Sequence, residues 1–378
     1  MNAEPSSTAV LPAEPDGQIP PDKAAGLRTD TLVDSVVILL AMTGVQRLVG
    51  FCRAVLFCRW LDPEQLGQWD MAFGFLMLAG PLAVLALPGT FGRYVERYRQ
   101  QGLLRAFLRR IVAACAALTA LTVVVIYFGQ RWFSELIFGT PGQTELVVLL
   151  ALSLTAVLAY NFMIELFTAL RNIRLISGMQ MANSLIFATL GVSLLLGWRC
   201  AASSVVIAYG GACLACACGG SLWLRRIWKA LPESAGGFAQ GELWSKLIPF
   251  AGWMLAVSVL TSLFEIVDRY MIVHYSGGSA AAALARVGDY HSSRVVPVLL
   301  VSIAAMLGTM ITPHLSHDWE AGRRDRVSAR LNLFLKLLAF ALIVGAVVVV
   351  FAAPLLFGVA FQGKFAGGLA VLPWTLTY

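Results

Sequence analysis

The sequence predicts an all-α fold, a polytopic transmembrane helical bundle, and three observations carry that prediction. Over 378 residues the apolar types make up 58%, the charged types only 13%, and the mean hydropathy is +0.76. A soluble chain is about 45–50% apolar and about 25% charged, so this one has too few polar side chains to cover a water-facing surface. The apolar residues also arrive in runs of about 20, the length a helix needs to cross the hydrocarbon core. Such runs are too long and continuous for barrel strands. Third, Lys and Arg collect on alternate loops, a pattern that follows membrane orientation. A cytosolic enzyme, a disordered chain and a disulfide scaffold are excluded.

The elements follow in order. Residues 1–30 are polar, with Pro5, Pro12, Pro15, Pro20 and Pro21. They lack the apolar core and cleavage site of a signal peptide, which predicts a disordered cytoplasmic tail. Spans are expected near 32–58, 70–92, 110–128, 145–168, 177–197, 201–223, 248–272, 293–315 and 332–353, with a tenth opening near 366. This divides the chain into the tail 1–30, an N-lobe 31–223 with helices 1–6, a cytoplasmic linker 224–247 and a C-lobe 248–378 with helices 7–10.

Basic residues fix the orientation. Arg93, Arg97, Arg99, Arg105, Arg109 and Arg110 follow span two, Arg171 and Arg174 span four, and Arg225, Arg226, Lys229 and Lys246 span six. Arg323, Arg324, Arg326, Arg330 and Lys336 lie around the loop after span eight. The opposite loops hold little beyond Arg131, Arg199, Arg286 and Lys364. The N-terminus and the even-numbered loops are therefore expected in the cytoplasm of a multi-pass plasma (inner) membrane protein. The net charge of +7 is topology rather than a sign of nucleic acid.

The two halves are related. Gly67 in LGQWDMAF faces Gly288 in VGDYHSS, Gly102 faces Gly322, Gly139 faces Gly358 and Tyr160 faces Tyr378, at offsets of 221, 220, 219 and 218. Four matches in order at nearly constant offset indicate two parallel six-helix repeats. The second is incomplete: by the same offset it should run roughly 65 residues past Tyr378. Twelve spans are the expected minimum for the complete fold, so a C-terminally truncated or partial chain is expected.

Chemistry-bearing residues are few. Cys213, Cys216 and Cys218 have a metal-like spacing, but the surrounding run YGGACLACACGGS is apolar without histidine or acid. They are read as small packing residues. His274, His291, His314 and His317 lie near loop ends without zinc partners, so neither a metal nor another cofactor is expected. No phosphate loop or Ser-His-Asp set is present, which argues against an enzyme. Gly211, Ala215 and Gly219 form a small-residue ridge suited to helix packing.

Ionisable groups at membrane depth are costly and by default face a cavity or a partner. Arg47 lies about 15 residues into span one, too deep to snorkel, and is read as cavity-facing. Arg53 is read either that way or as snorkelling, and Arg59 as snorkelling. On one straight helix Arg47 and Arg53 point about 120° apart, so a shared cavity must be wide or the helix bent, with Gly50 a place for a bend. Span seven carries Glu265, Asp268 and Arg269, with Glu265 and Arg269 at ion-pair spacing i,i+4. The cluster is either self-neutralised or a proton or cation relay. Asn161 and Glu165 share the same spacing in span four, where Glu165 is a snorkelling carboxylate or a further coupling candidate. Arg294 opens span eight as an interfacial residue.

The stretch R-L-V-G-F-C-R-A-V-L-F-C-R-W-L-D-P-E-Q-L-G-Q-W, with V-D-R-Y-M-I and then V-G-D-Y in the second half, resembles the oligosaccharide flippase, or polysaccharide-biosynthesis exporter, family. That family belongs to the multidrug/oligosaccharidyl-lipid/polysaccharide exporter superfamily, and the resemblance covers residues 32–378. It implies a two-lobed bundle around a central cavity that moves a polyprenyl-pyrophosphate-linked oligosaccharide across the plasma membrane by alternating access. The pathway would be exopolysaccharide, capsule or O-antigen synthesis. It also implies a substrate-binding role for Arg47 and Arg53, since guanidinium groups hold pyrophosphate bidentately, and puts Asp268 and Arg269 in the D-R of a family motif. Expected partners are the lipid-linked oligosaccharide, the bilayer, a polysaccharide polymerase and glycosyltransferases. The competing functions are a lipid II flippase, a cation-coupled multidrug exporter and, in another class, a non-transporting scaffold or inactive remnant.

Overall fold

In hydrocarbon each backbone N–H and C=O must be satisfied within the segment itself, so long apolar runs fold as helices. The computed structural model describes residues 32–230 and 240–377, and among them it contains helices and no strand. The expected tail 1–30 and the centre of the expected linker lie outside the described residues. Contacts group Leu39–Tyr378 into one unit. Before it, Leu32–Ile38 is helical; all that follows concerns the unit from Leu39.

Helix α1 (Leu32–Trp60) ends at a tight turn into α2 (Pro63–Ala83), whose first residue is a proline at the position where a missing N–H costs nothing. A single turn over Leu87–Thr90 leads to α3 (Phe91–Gln100), and α4 (Leu104–Phe128) follows. The short α5 (Gln130–Phe138) is stopped by Gly139 at φ +67°. Then come α6 (Thr144–Ala169), α7 (Ile173–Gly197), α8 (Ala202–Ala230), α9 (Gln240–Tyr275) and α10 (Ala280–Glu320). The described chain closes with α11 (Arg324–Leu355), a π-turn over Leu356–Ala360 and α12 (Ala366–Thr377).

Seven of the described helices are long and apolar enough to cross a membrane, and the bent pair Pro63–Ala83 and Leu87–Gln100 raises this to eight. The bend corrects the second expected span. Its helix starts at Pro63, seven residues before the expected 70, and breaks before 92. Leu85 (φ 50°) and Ala86 (φ 49°) take left-handed backbone between Pro81 and Pro88, and the axis turns by 60°. Spans seven and eight are longer than expected, at 36 and 41 residues for α9 and α10.

The internal repeat is visible in the backbone. Gly102 (φ +68°) and Gly322 (φ +71°) make the same left-handed turn after α3 and after α10. Gly67 and Gly288 meet where α2 crosses α10. A Cβ on Gly67 would lie 1.9 Å from the Leu284 carbonyl oxygen, and one on Gly288 2.0 Å from that of Pro63. Pro63 and Leu284 are themselves 221 apart, so the contact is symmetric under the repeat.

The first half packs its core around α6. Phe91 is fully buried and sets its ring edge-on to Phe107 and Phe162. The small-residue face of α8 is displaced from the expected ridge. Gly219 meets nothing within 4 Å, whereas a Cβ on Gly210 would strike Ser153 of α6 at 2.6 Å and one on Gly220 would press on Met179 at 3.0 Å. Connections gather at two ends of the bundle. Tyr94 of α3 donates to the Lys246 carbonyl at the end bearing the basic loops. At the other end Lys364 pairs with Asp62 at 3.3 Å, and Gln65 accepts from the Ala202 N–H.

Candidate functional site

A cavity of about 450 Å³ lies inside this bundle, within the range of ligand pockets. Helices α1, α2, α7, α8, α9 and α10 line it. Just beyond it, one helical turn from Asp70 and His291, the glycine crossing of α2 and α10 brings two backbones together. From there the cavity runs toward the basic end as far as Gln46 and Ser302.

Helix α1 gives the cavity Arg47, Gly50, Arg53 and Phe57, among others. At about 100° per residue these positions sweep a broad face of one helix. Both arginines therefore reach one wide cavity from a continuous helix, and no bend at Gly50 is needed. Among the described residues no carboxylate pairs with either. The Arg53 guanidinium instead lies over the Phe187 ring, 4.1 Å from its centroid, a cation–π contact that holds the group while leaving its donors open.

Helices α9 and α10 bring a second pair, Arg269 and Arg294, to the same cavity. Arg269 does not pair with Glu265, four residues away on its own helix. Its Nε lies 2.8 Å from Oδ2 of Asp70 on α2, an ion pair by distance that is not aligned as a hydrogen bond. Gly74 makes room for it: a Cβ there would meet Ile266 at 3.1 Å and Arg269 at 3.6 Å. Asp70 is buried, and its Oδ1 accepts from Nδ1 of His291 at 2.8 Å, because an ionised carboxylate only accepts. Asp268 accepts from the Tyr290 hydroxyl at 2.9 Å, and Arg294 lies over the Tyr290 ring. Arg294 Nη1 is buried without a hydrogen-bond partner among the described residues.

The cavity thus holds four arginines against one carboxylate, Asp70, with His291 beside it. A buried guanidinium donor without a partner is costly, and a bound anion would satisfy it. Glu265 and Glu165 are exposed and line no part of the cavity. Asp268 does not line the cavity either; it reaches Arg294 through Tyr290, from whose hydroxyl it accepts and whose ring Arg294 covers. Sequence reasoning missed the place of three cavity residues. Arg294 is not interfacial, His291 is not at a loop end, and Asp70 had not been singled out. The repeat carried the signal: Asp70 and His291 are 221 apart, as are Phe73 and Arg294. Among the described residues no group of His, Cys, Asp and Glu is arranged to hold a metal.

No curated protein matches the chain. The family model described as polysaccharide biosynthesis protein matches residues 32–319, most of the chain and every lining element of the cavity. An apolar helical bundle with this cavity is therefore a membrane protein that belongs to the polysaccharide biosynthesis protein family.

Proposed function

We propose that the protein is a transporter that moves a polyprenyl-pyrophosphate-linked oligosaccharide across the plasma membrane by alternating access, for exopolysaccharide, capsule or O-antigen synthesis. The single observation that carries this reading is the cationic cavity: Arg47, Arg53 and Arg294 line it without a carboxylate partner among the described residues. Planar guanidinium groups in a low-dielectric site suit a diphosphate. A cation-coupled drug exporter would need the opposite balance, acidic groups facing a cationic cargo. A lipid II flippase handles the same diphosphate chemistry and differs in the sugar.

In this reading the N-terminus and the basic loops face the cytoplasm, and the glycine crossing closes the cavity on the periplasmic side. The parts before and after the 224–247 segment act as two lobes. The coupling role falls to Asp268 and Arg269 together with Asp70 and His291, and it leaves Glu265 and Glu165 outside. The test is Arg47→Ala in a cell whose polysaccharide export depends on this protein. Export should fall at least tenfold with unchanged membrane levels, and Arg47→Lys should recover only part, because a point charge replaces a fork. Normal export at normal protein level would remove Arg47 from the substrate site.

A further inference from the structure

The cavity has two unlike walls, and the difference has a chemical meaning. On the side built by the first repeat, Phe57, Trp69, Phe73, Phe187 and Tyr209 pack ring against ring. Trp69 contacts Phe73 at 5.4 Å, Phe187 at 5.7 Å and Tyr209 at 6.1 Å between centroids, and Phe73 and Tyr209 stand edge to face at 5.5 Å. Trp69 and Phe187 are buried beneath, while Phe73 and Tyr209 are half-buried and line the cavity. Two polar residues of α7, Asn183 and Ser184, border these rings. Asn183 donates to Cys213 Sγ at 3.4 Å, which fixes its amide with the carbonyl oxygen left over. The facing wall, from α10, is aliphatic along Val295, Val298 and Leu299.

Resting on the reading of the cavity as the place of a lipid-linked diphosphate, we propose that Phe73 and Tyr209, with Asn183, form the subsite for the sugar next to that diphosphate. The lipid chain then leaves along the α10 wall. A pyranose ring is polar at its rim and carries C–H groups on its faces. Those hydrogens, made slightly positive by neighbouring oxygens, match the negative face of an aromatic ring, while rim hydroxyls need amide and hydroxyl partners. Only the first-repeat wall offers both within one patch. A polyprenyl chain needs neither, and a bare aliphatic strip suits it. Arg53, held on Phe187 at the edge of the aromatic wall, ties the two subsites together. The repeat sharpens the assignment: at the position where α10 has the anion-binding Arg294, α2 has Phe73, so one helix supplies the guanidinium and its duplicate the ring.

The experiment measures binding of two kinds of probe to the purified full chain in detergent. One is undecaprenyl pyrophosphate; the others are undecaprenyl pyrophosphate carrying a single glucose, galactose or N-acetylglucosamine. Phe73→Leu keeps apolar volume and removes the π-face. It should weaken the best-bound glycosylated probe on the order of tenfold and leave the unglycosylated one within about twofold, with Phe73→Tyr restoring the wild-type preference. Arg294→Gln should weaken both alike. Equal loss of both probes in Phe73→Leu would mean that the rings hold lipid, and no loss would mean that they hold nothing; either overturns the sugar subsite and leaves the diphosphate reading intact. If the wild-type chain binds neither kind of probe, the diphosphate reading itself fails and the subsite with it.

Discussion

Helix α10 and the α2–α3 segment hold equivalent places in the two repeats and begin alike. Each sets a glycine at the shared crossing, an aromatic residue two positions on (Trp69, Tyr290), then a titratable one (Asp70, His291). Then they part. The first breaks at Val84–Thr90 and turns by 60°, which carries α3 onto α6; the second runs unbroken to Glu320. They also diverge in charge, since α2 gives the cavity a carboxylate and a phenyl ring where α10 gives an imidazole and a guanidinium. The duplication accounts for the frame, and the divergence at two pairs of positions, Asp70 with His291 and Phe73 with Arg294, accounts for the polarity of the site. Each prediction below strikes either at what the two helices share or at what separates them.

The largest effect belongs to the shared crossing. In Gly67→Ala or Gly288→Ala the new Cβ meets a backbone carbonyl at about half a normal contact distance, 1.9 or 2.0 Å. No rotamer relieves a clash with backbone, so the helices must separate. Each variant should lose several kcal/mol, read as a large drop in thermal midpoint in detergent or as failure to accumulate. Gly44→Ala, where nothing lies within 4 Å, is the control and should stay near wild type. Equal stability of all three would mean that the two repeats do not meet at Gly67 and Gly288.

Next comes the acid on which the two helices differ. Asp70→Asn leaves the Arg269 guanidinium buried without its counter-charge, and breaking such a pair costs about 3–5 kcal/mol. The companion change Arg269→Gln removes that unpaired charge, so the double variant should lose less than the sum of the two singles, by 1 kcal/mol or more on the order of a direct pair. Additive losses would show that Arg269 finds its stabilisation elsewhere. The swap Asp70→His with His291→Asp keeps the hydrogen bond across the crossing but moves the carboxylate onto α10, away from the helix on which Arg269 leans. It should refold the crossing without restoring the stability that Arg269 lends.

These two cases also explain which parts of the molecule the sequence reveals. A span is legible because hydropathy is summed over some twenty residues; that sum finds the helices but not their ends, as α2 and α10 show. The depth of Arg47 was visible for the same reason. Asp70 was obscured by an edge. With span two taken to open at 70, an aspartate there looks interfacial; with α2 opening at Pro63, it is two turns inside. His291 was obscured in the same way, since α10 begins at Ala280 and not near 293. The partner of Arg269 was obscured for a different reason. An i,i+4 rule sees only one helix, and Glu265 had the right spacing, whereas Asp70 competes from a neighbouring helix that Gly74 lets come close. Pairings between helices are tertiary, and only the repeat, which sets Asp70 against His291, carried them in the sequence.

The smallest effect tests why one helix bends and its duplicate does not. Leu85 and Leu307 are both half-exposed leucines in equivalent stretches, 47% and 39% exposed, so each loses a similar contact when shortened. Leu85 sits at φ 50°, where a side chain crowds the backbone at a cost of about 1–2 kcal/mol, whereas Leu307 lies inside α10. Leu85→Gly releases that strain, which offsets the lost contact, and should leave stability unchanged or raise it by up to about 1 kcal/mol. Leu307→Gly has no strain to release and should cost about 1 kcal/mol from helix propensity alone, plus the contact. The same chemical change is thus tolerated in the first repeat and costly in the second. Equal losses at both sites would mean that the break stores no strain at Leu85, and the bend would then rest on Pro81 and Pro88 alone. In that case replacing Pro88 with Ala, and not relaxing Leu85, is the change that should let α2 and α3 approach the straight path of α10, because it returns an N–H to the ladder and frees the preceding residue to be helical.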